Sequence, residues 1–356
     1  MKKFNGIIAV FLAVIMVAVG AAGGYLGYTD TEPNALKGDV YVAPNGEMQI
    51  HFLELGNKYT GDCTYIKAGE TDILIDAGSR SNSVPTIKAY VDQFCTDGKL
   101  EYVIVTHADQ DHIAGFGTSE TTDSIFDLYV CETIITFALT NKDTQVYKNF
   151  QRELADEVAA GATHYTAAQC ITEQISVFDI SAGVTMQILD QKFYYEKTGD
   201  ENDYSVCTLF TCGGKNVLLT GDLEKHGEES LVEKNVLPEV ELFKAGHHGS
   251  PTSSNDVLLS VIKPKAVCVC CCAGSDEYTD NKANQFPSQA MIDRVAPYTD
   301  AVYVTTVVDG EGFKSLNGNI KVTVSKRGTE VVCSVSQLKL KDSDWFKADR
   351  TLPASW

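Results

Sequence analysis

The chain has 356 residues, with 29 Lys and Arg against 48 Asp and Glu, a formal charge of −19 and a hydrophobic fraction of 44%. That apolar content suits a globular protein with a real core, and the length allows one large domain or two small ones. The acidic balance excludes a broad nucleic-acid-binding face, because phosphate contacts need Lys and Arg, although a bound cation would invert the field locally.

Taken in chain order, the first feature is a positive start, Lys2 and Lys3, before the almost wholly apolar or glycine run Ile7–Tyr28. It reads as a cleaved signal peptide, with the small residues Gly20 to Ala22 near the cleavage point, or as a single uncleaved span. Both place the body outside the cytoplasm, extracellular or anchored to the cell membrane. Residues 1–29 are therefore assigned to this segment. Residues 30–46, polar and with Pro33 and Pro44, are assigned to a linker.

The body is expected over 47–338. Gln49–Leu55 alternates as a strand, followed by strands at Cys63–Lys67 and Asp72–Asp76 and a helix at Val84–Cys95. Tyr102–Val105 is a short apolar strand. Lys148–Ala160 has the pattern of a helix, and Val177–Asp179 and Val184–Leu189 that of strands. Ser205–Cys212 and Asn216–Thr220 form a hairpin around Gly213–Gly214. Leu223–Glu233 is helical, Glu239–Lys244 a strand, Asp256–Ile262 a helix and Ala266–Cys272 a strand. Helix Pro287–Val295, strand Ala301–Thr306 and the pair Ile320–Val324 and Val331–Val335 complete the body. Strands first, then helices interleaved with strands, twice over, predict an α/β (α+β) fold of two mixed sheets packed face to face with helices outside. Residues 339–356 read as a polar tail carrying Trp345 and Trp356.

The chain has 11 cysteines, an odd number, which in an exported protein invites a disulfide reading. The spacing supports no dense framework. Cys268, Cys270, Cys271 and Cys272 lie in one apolar strand and read as small core residues.

The densest chemistry is Thr106–His107–Ala108–Asp109–Gln110–Asp111–His112, just past a strand end. Two imidazoles and two carboxylates this close are costly to bury unless something cationic compensates them. Three more features place acid or imidazole just past a strand: Asp76 in Ile75–Gly78, Asp222 in Thr220–Asp222, and His247 and His248 in Gly246–Ser250. Strand-end ligands on one rim suit a two-metal site.

With these motifs in order, the sequence resembles the metallo-β-lactamase superfamily, and within it the hydrolase domain of the ComEC competence proteins and their stand-alone relatives. The His-x-His-x-Asp-His pattern stands here with Asp109 in the second His position, a variant typical of the ComEC-like branch. His51–Gly56 with Gly61–Asp62, Ile73–Gly78, Leu218–Asp222 and Lys244–Ser250 resemble further motifs of that branch. The resemblance spans about 47–325 and implies the αββα sandwich of the superfamily. Two positions depart from it. Asn202 stands where the superfamily's third-motif His is usual, and Gln285–Phe286–Pro287 where the branch tends to carry His-Pro.

The resemblance implies two divalent ions, zinc or manganese. Carboxylate-rich ligation favours the harder ion, and the imidazoles keep zinc open. His107 and Asp109 would hold one ion, Asp111, His112 and His247 the other, with Asp222 bridging. Asp111 is also counted among the catalytic residues. His248 would protonate a leaving group, bind substrate or brace the loop. Lys244 would offset developing negative charge or stand as a solvated strand-end lysine. Asp76 would orient the ligand loops, with Asp62 at the rim and Asn202 in the third-motif place. Ser250 would bind a substrate oxygen or cap the following helix. His51, His164 and His226 have no assigned role.

The implied activity is an exported metal-dependent hydrolase, a phosphodiesterase acting on a phosphorylated or nucleic-acid-like substrate. The residues alone imply only an activated water. The alternatives are a non-catalytic binding or assembly protein that keeps the fold, and a carboxyl-ester or lactone hydrolase. The membrane is a partner if the N-terminal segment stays uncleaved, and no motif marks a protein partner.

Overall fold

The computed structural model describes residues 42–356. The expected signal or anchor segment 1–29, and the linker as far as residue 41, lie outside the described residues. The strands in chain order are β1 (Glu47–Phe52), β2 (Thr64–Ala68), β3 (Thr71–Ile75), β4 (Lys99–Val105), β5 (Val130–Thr136), β6 (Thr163–Thr166), β7 (Val177–Ser181) and β8 (Val184–Ile188). They continue with β9 (Thr208–Cys212), β10 (Lys215–Leu219), β11 (Leu242–Lys244), β12 (Ala266–Ala273), β13 (Val302–Asp309), β14 (Gly312–Ser315), β15 (Ile320–Ser325) and β16 (Gly328–Cys333). The helices are α1 (Ser83–Val91), α2 (Gln110–Ile113), α3 (Ile125–Leu128), α4 (Gln145–Ala160), α5 (Ala167–Thr172), α6 (Lys225–Lys234), α7 (Asp256–Ile262), α8 (Gln289–Val295) and α9 (Asp344–Asp349).

The strands form two eight-stranded mixed sheets, ordered β16-β15-β1-β2-β3-β4-β5-β6 and β14-β13-β12-β11-β10-β9-β8-β7. Each sheet opens with antiparallel hairpins and continues as parallel strands: β3 to β6 in the first, β10 to β13 in the second. The parallel crossovers carry helices, as chain geometry requires.

Side-chain alternation shows how the layers stack. In β12, Cys268 and Cys270 join a core shared with Ile50, Ile66 and Val322 of the first sheet, while Val267, Val269 and Cys271 pack with Leu258, Met291 and Ile292 of α7 and α8. In β1, Ile50 faces the shared core. His51 turns to the other side, where its ring meets those of Tyr90 and Phe94 in and after α1. The order is helices, sheet, sheet, helices. Every residue of β12 is buried, as expected of a parallel strand covered on both faces.

The expected strands and helices appear, with ends shifted by a few residues. The sequence reading omitted β5, β6 and β14 and the short helices. Residues after Leu338 do not hang free: Leu340 and Phe346 are buried, and the indole of Trp356 donates to the Thr299 carbonyl at 2.8 Å. All eleven cysteines are free thiols, and the four in β12 are core residues. Among the described residues no helix is long and apolar enough to cross a membrane.

Candidate metal centre

Four loops meet at one rim, each leaving the C-terminal end of a parallel strand. β3 and β4 are neighbours in the first sheet and deliver Asp76 and the run Thr106–His112. β10 and β11 are neighbours in the second and deliver Asp222 and the His247–His248 turn. The sheets are tied there by a hydrogen bond from the Val206 amide to the Thr106 carbonyl at 2.9 Å. Gly221 lets the loops come this close. It has φ +55°, and a Cβ on it would lie 2.9 Å from Ser205 Oγ and Thr106 Cβ.

Asp111, His112, Asp222 and His248 each offer one ligand atom to a group lying within 4.8 Å of one another. Asp222 Oδ2 is 3.2 Å from His112 Nε2 and 3.1 Å from His248 Nε2, and Asp111 Oδ2 is 3.3 Å from the same His248 nitrogen. Asp76 holds His112 from behind. It accepts from His112 Nδ1 at 2.7 Å while also accepting from the Thr106 amide at 2.8 Å and the Thr106 hydroxyl at 2.7 Å. His248 Nδ1 is fixed by the Cys270 carbonyl at 3.0 Å and faces Asp62 Oδ1 at 3.3 Å.

The His-His turn needs a correction. His248, rather than His247, joins the cluster. His247 is directed away, its Nδ1 3.0 Å from Glu224 Oε1. Both residues have left-handed backbones, with φ 46° and 53°, an uncommon conformation for non-glycine residues that concentrates at functional sites.

Lys244 is corrected as well. It is neither solvated nor on the cavity wall. Its ammonium is buried behind the cluster, bonded to the Asp62 carboxylate and to the carbonyls of Gly221 and Ala245 at 3.3 Å, and 3.9 Å from Asp222 Oδ1. It offsets standing charge instead of touching substrate. Asp62 is likewise buried with it and not at the rim. Ser250 caps its own turn, pairing with the Thr252 hydroxyl at 2.8 Å, while helix α7 begins farther on at Asp256.

The proposed first site is looser. His107 Nε2 is 3.6 Å from Asp109 Oδ2, and Asp109 is bonded to the Lys142 ammonium. Asn202 donates to Glu224 Oε1 at 3.2 Å. His51 is buried, its Nδ1 paired with the Tyr90 hydroxyl at 2.8 Å.

Electrostatics follow from this packing. Burial alone would raise the acids, but His112 and His248 outweigh it and hold Asp222 well below the usual carboxylate range; Asp111 is lowered the same way. Asp62 is pushed down to about 2, because Lys244, His248 and His112 overcome its burial. Burial would lower the two imidazoles, yet the surrounding carboxylates, Asp222 foremost, raise both well above their ordinary value.

Several site residues carry no sequence motif. Ser79, Arg80, Gln110, Lys142, Glu277 and Tyr278 line a cavity of about 390 Å³ together with Asp109, Asp111, Asn202, Asp222 and His247. Glu201 is buried under it. It accepts from the Ala108 amide at 3.3 Å, the Thr140 hydroxyl at 2.6 Å and the Asn141 amide at 2.7 Å, joining the ligand run to the Lys142 loop. The one sequence signal for Glu201 is its place beside Asn202.

The donor set fits a divalent cation. The buried nitrogens His107 Nε2, His112 Nε2 and His248 Nε2 and the oxygen Asp222 Oδ1 have no hydrogen-bond partner, a cost that native interiors rarely carry and that metal coordination removes. The mixed nitrogen and carboxylate ligands suit zinc or manganese.

Residues 56–120 match the Metallo-beta-lactamase superfamily. ComE operon protein 3 of Bacillus subtilis (strain 168) is 29% identical over 253 residues, 65% of this chain and 29% of that protein. Recombination protein 2 of Haemophilus influenzae is 25% identical over 300 residues, 84% of this chain and 31% of that protein. The chain thus spans less than a third of the length of these curated relatives. Among solved structures, the metallo-beta-lactamase fold protein YhfI from Bacillus subtilis aligns with a TM-score of 0.41 at 12% identity, covering 74% of this chain and 96% of that one. The chain belongs to the metallo-β-lactamase superfamily. Its curated relatives are competence and recombination proteins of the ComEC type.

Proposed function

We propose that the chain is a metal-dependent phosphodiesterase that uses two divalent ions, zinc or manganese, on a nucleic-acid strand or another phosphorylated molecule. One observation carries the reading: Asp111 and Asp222, members of the buried ligand cluster, line the same cavity as the cations Arg80 and Lys142. The cavity wall holds the carboxylates Asp109, Asp111, Asp222 and Glu277 against those two cations. Divalent ions would turn this excess of negative charge positive and draw in an anion. The names of the relatives, competence and recombination proteins, support a nucleic-acid phosphodiester.

The bound ions supply an acidic water and polarise a phosphoryl oxygen. The chain's residues do the rest. Asp222 and Asp111 bring the ligand set together, and Asp76 fixes the orientation of the His112 ring. Lys244 keeps Asp62 ionised beneath the cluster. Arg80 and Lys142 steer the anion. His247, on the cavity wall with its Nδ1 on Glu224, takes the proton-donor role that the sequence suggested for His248. An imidazole oriented by a carboxylate suits transfer to a leaving oxygen. The exported or membrane-anchored location belongs to the same reading and rests on residues 2–28 alone.

A second reading, a binding or assembly protein, is favoured by the Lys142 ammonium seated on Asp109. The deciding experiment measures metal content of the full chain together with turnover of bis-p-nitrophenyl phosphate, single-stranded DNA and carboxyl esters. Two ions per chain with phosphodiester turnover are expected. One ion without turnover supports the binding protein, and ester turnover alone supports an ester hydrolase.

A further inference from the structure

We propose that Tyr278 is a substrate-contacting residue, its hydroxyl donating a hydrogen bond to a phosphoryl oxygen held over the Asp111–His112–Asp222–His248 cluster. The proposal deepens the phosphodiesterase reading and rests on it.

Tyr278 belongs to the connection between β12 and α8, where no motif falls. Its ring is half-exposed, so water is available to its hydroxyl. The hydroxyl instead reaches 2.7 Å from Asp111 Oδ2, the oxygen that also faces His248 Nε2 at 3.3 Å. A group bound at this cluster therefore sits beside the phenol. The ring packs on Phe286 at 5.3 Å, and Phe286 in turn stacks on His248 at 6.3 Å and meets His247 at 5.6 Å edge-on. Phe286 occupies the place where the branch tends to carry an imidazole, and it supports a neutral oxygen donor over the same spot.

The connection is pinned on both sides of the ring. Glu277 accepts from the Thr60 amide at 2.8 Å and lies 3.7 Å from the Arg80 guanidinium, which covers the Tyr59 ring at 4.0 Å. Lys282 pairs with Asp349 of α9 at 3.0 Å. A fixed donor of this kind costs little to orient when an anion arrives. Arg80 and Lys142 on the same cavity wall supply charge, and Tyr278 supplies direction.

The test uses the full chain loaded with manganese or zinc. It compares wild type with Tyr278→Phe, which keeps the ring on Phe286 and removes only the hydroxyl. Metal content, affinity for inorganic phosphate by calorimetry, and KM and kcat for bis-p-nitrophenyl phosphate are read in parallel. The expected result is unchanged metal content with phosphate bound about tenfold more weakly, the scale of one hydrogen bond to a charged oxygen. Glu277→Gln, which loosens the connection without touching the phenol, should shift phosphate affinity the same way by less.

Unchanged phosphate affinity in Tyr278→Phe overturns the proposal. So does loss of metal in step with loss of affinity, which would make Tyr278 a brace for Asp111. A wild type that binds metal and phosphate but turns over no phosphodiester removes the functional reading alone, because the phosphate comparison still decides the role of Tyr278. A metal-loaded wild type that binds no phosphate overturns both.

Discussion

The adjacent imidazoles of the Gly246–Gly249 turn show how finely the site is divided between residues. His248 faces Asp111 and Asp222, and His247 faces Glu224. His248→Ala should weaken metal binding beyond the roughly 10–100-fold typical of losing a partner behind a ligand. His247→Ala should keep the metal and lose about 100-fold in turnover. Equilibrium dialysis and phosphodiester kinetics on the two variants check this, and the reverse pattern restores the ligand set expected from sequence. Asp222→Asn should abolish both metal uptake and turnover while circular dichroism stays that of the wild type. Metal uptake should also rise with pH. The raised His112 and His248 hold protons that a cation must displace. A folded-state value above 6.5 contributes stability that is full below 6.5 and lost as pH climbs through the raised value. The metal-free protein should therefore weaken on the alkaline side, and pH-dependent thermal melts with and without chelator measure it. The ligand residues were legible because each follows an apolar strand with acid or imidazole. Which of two neighbouring histidines turns inward was not, because that depends on two left-handed backbones set by tertiary packing.

Among the elements, the β2–β3 hairpin carries a buried ion pair. Lys67 and Asp72 are register partners, with Nζ and Oδ2 at 2.7 Å and both side chains inaccessible. Burial pushes Asp72 up to about 7 against the pull of Lys67 and the Tyr65 hydroxyl. Removing one member of such a pair leaves a charge without its partner. Asp72→Asn should cost about 3–5 kcal/mol in urea unfolding, and a loss under about 1 kcal/mol would show that the pair contributes little. Long or fully apolar elements were readable: α7 was expected at Asp256–Ile262 and is found there, and β12 was marked by its unbroken apolar run. β6, Thr163–Thr166, and β14, Gly312–Ser315, are four-residue edge strands with mixed polarity. They are strands because a neighbour pairs with them, and no local period announces that. β5 is half-buried along its first residues and regular only toward its end, which blurs its alternation.

For the whole molecule, ligands drawn from both sheets make bound metal a tie between them. Ligand binding to the folded form alone stabilises it by about 4 kcal/mol when metal stands at roughly a thousand times its dissociation constant. Chelation should lower the thermal midpoint accordingly, and an unchanged midpoint would argue against metal at a seam between sheets. The two-layer plan was legible from the repeated order of strands and helices. The docking of residues after Leu338 was not, because their polar composition hides the few side chains, Leu340 and Phe346, that seat them. One further property follows from the thiols. Ten of the eleven cysteines are buried and Cys333 is partly exposed, its thiol pushed up to about 12 by burial. A thiolate-seeking reagent should mark the native protein slowly and at Cys333 alone, whatever the redox state of its surroundings. Each additional thiol that reacts then reports a particular layer coming apart, so the chain carries its own set of probes for opening.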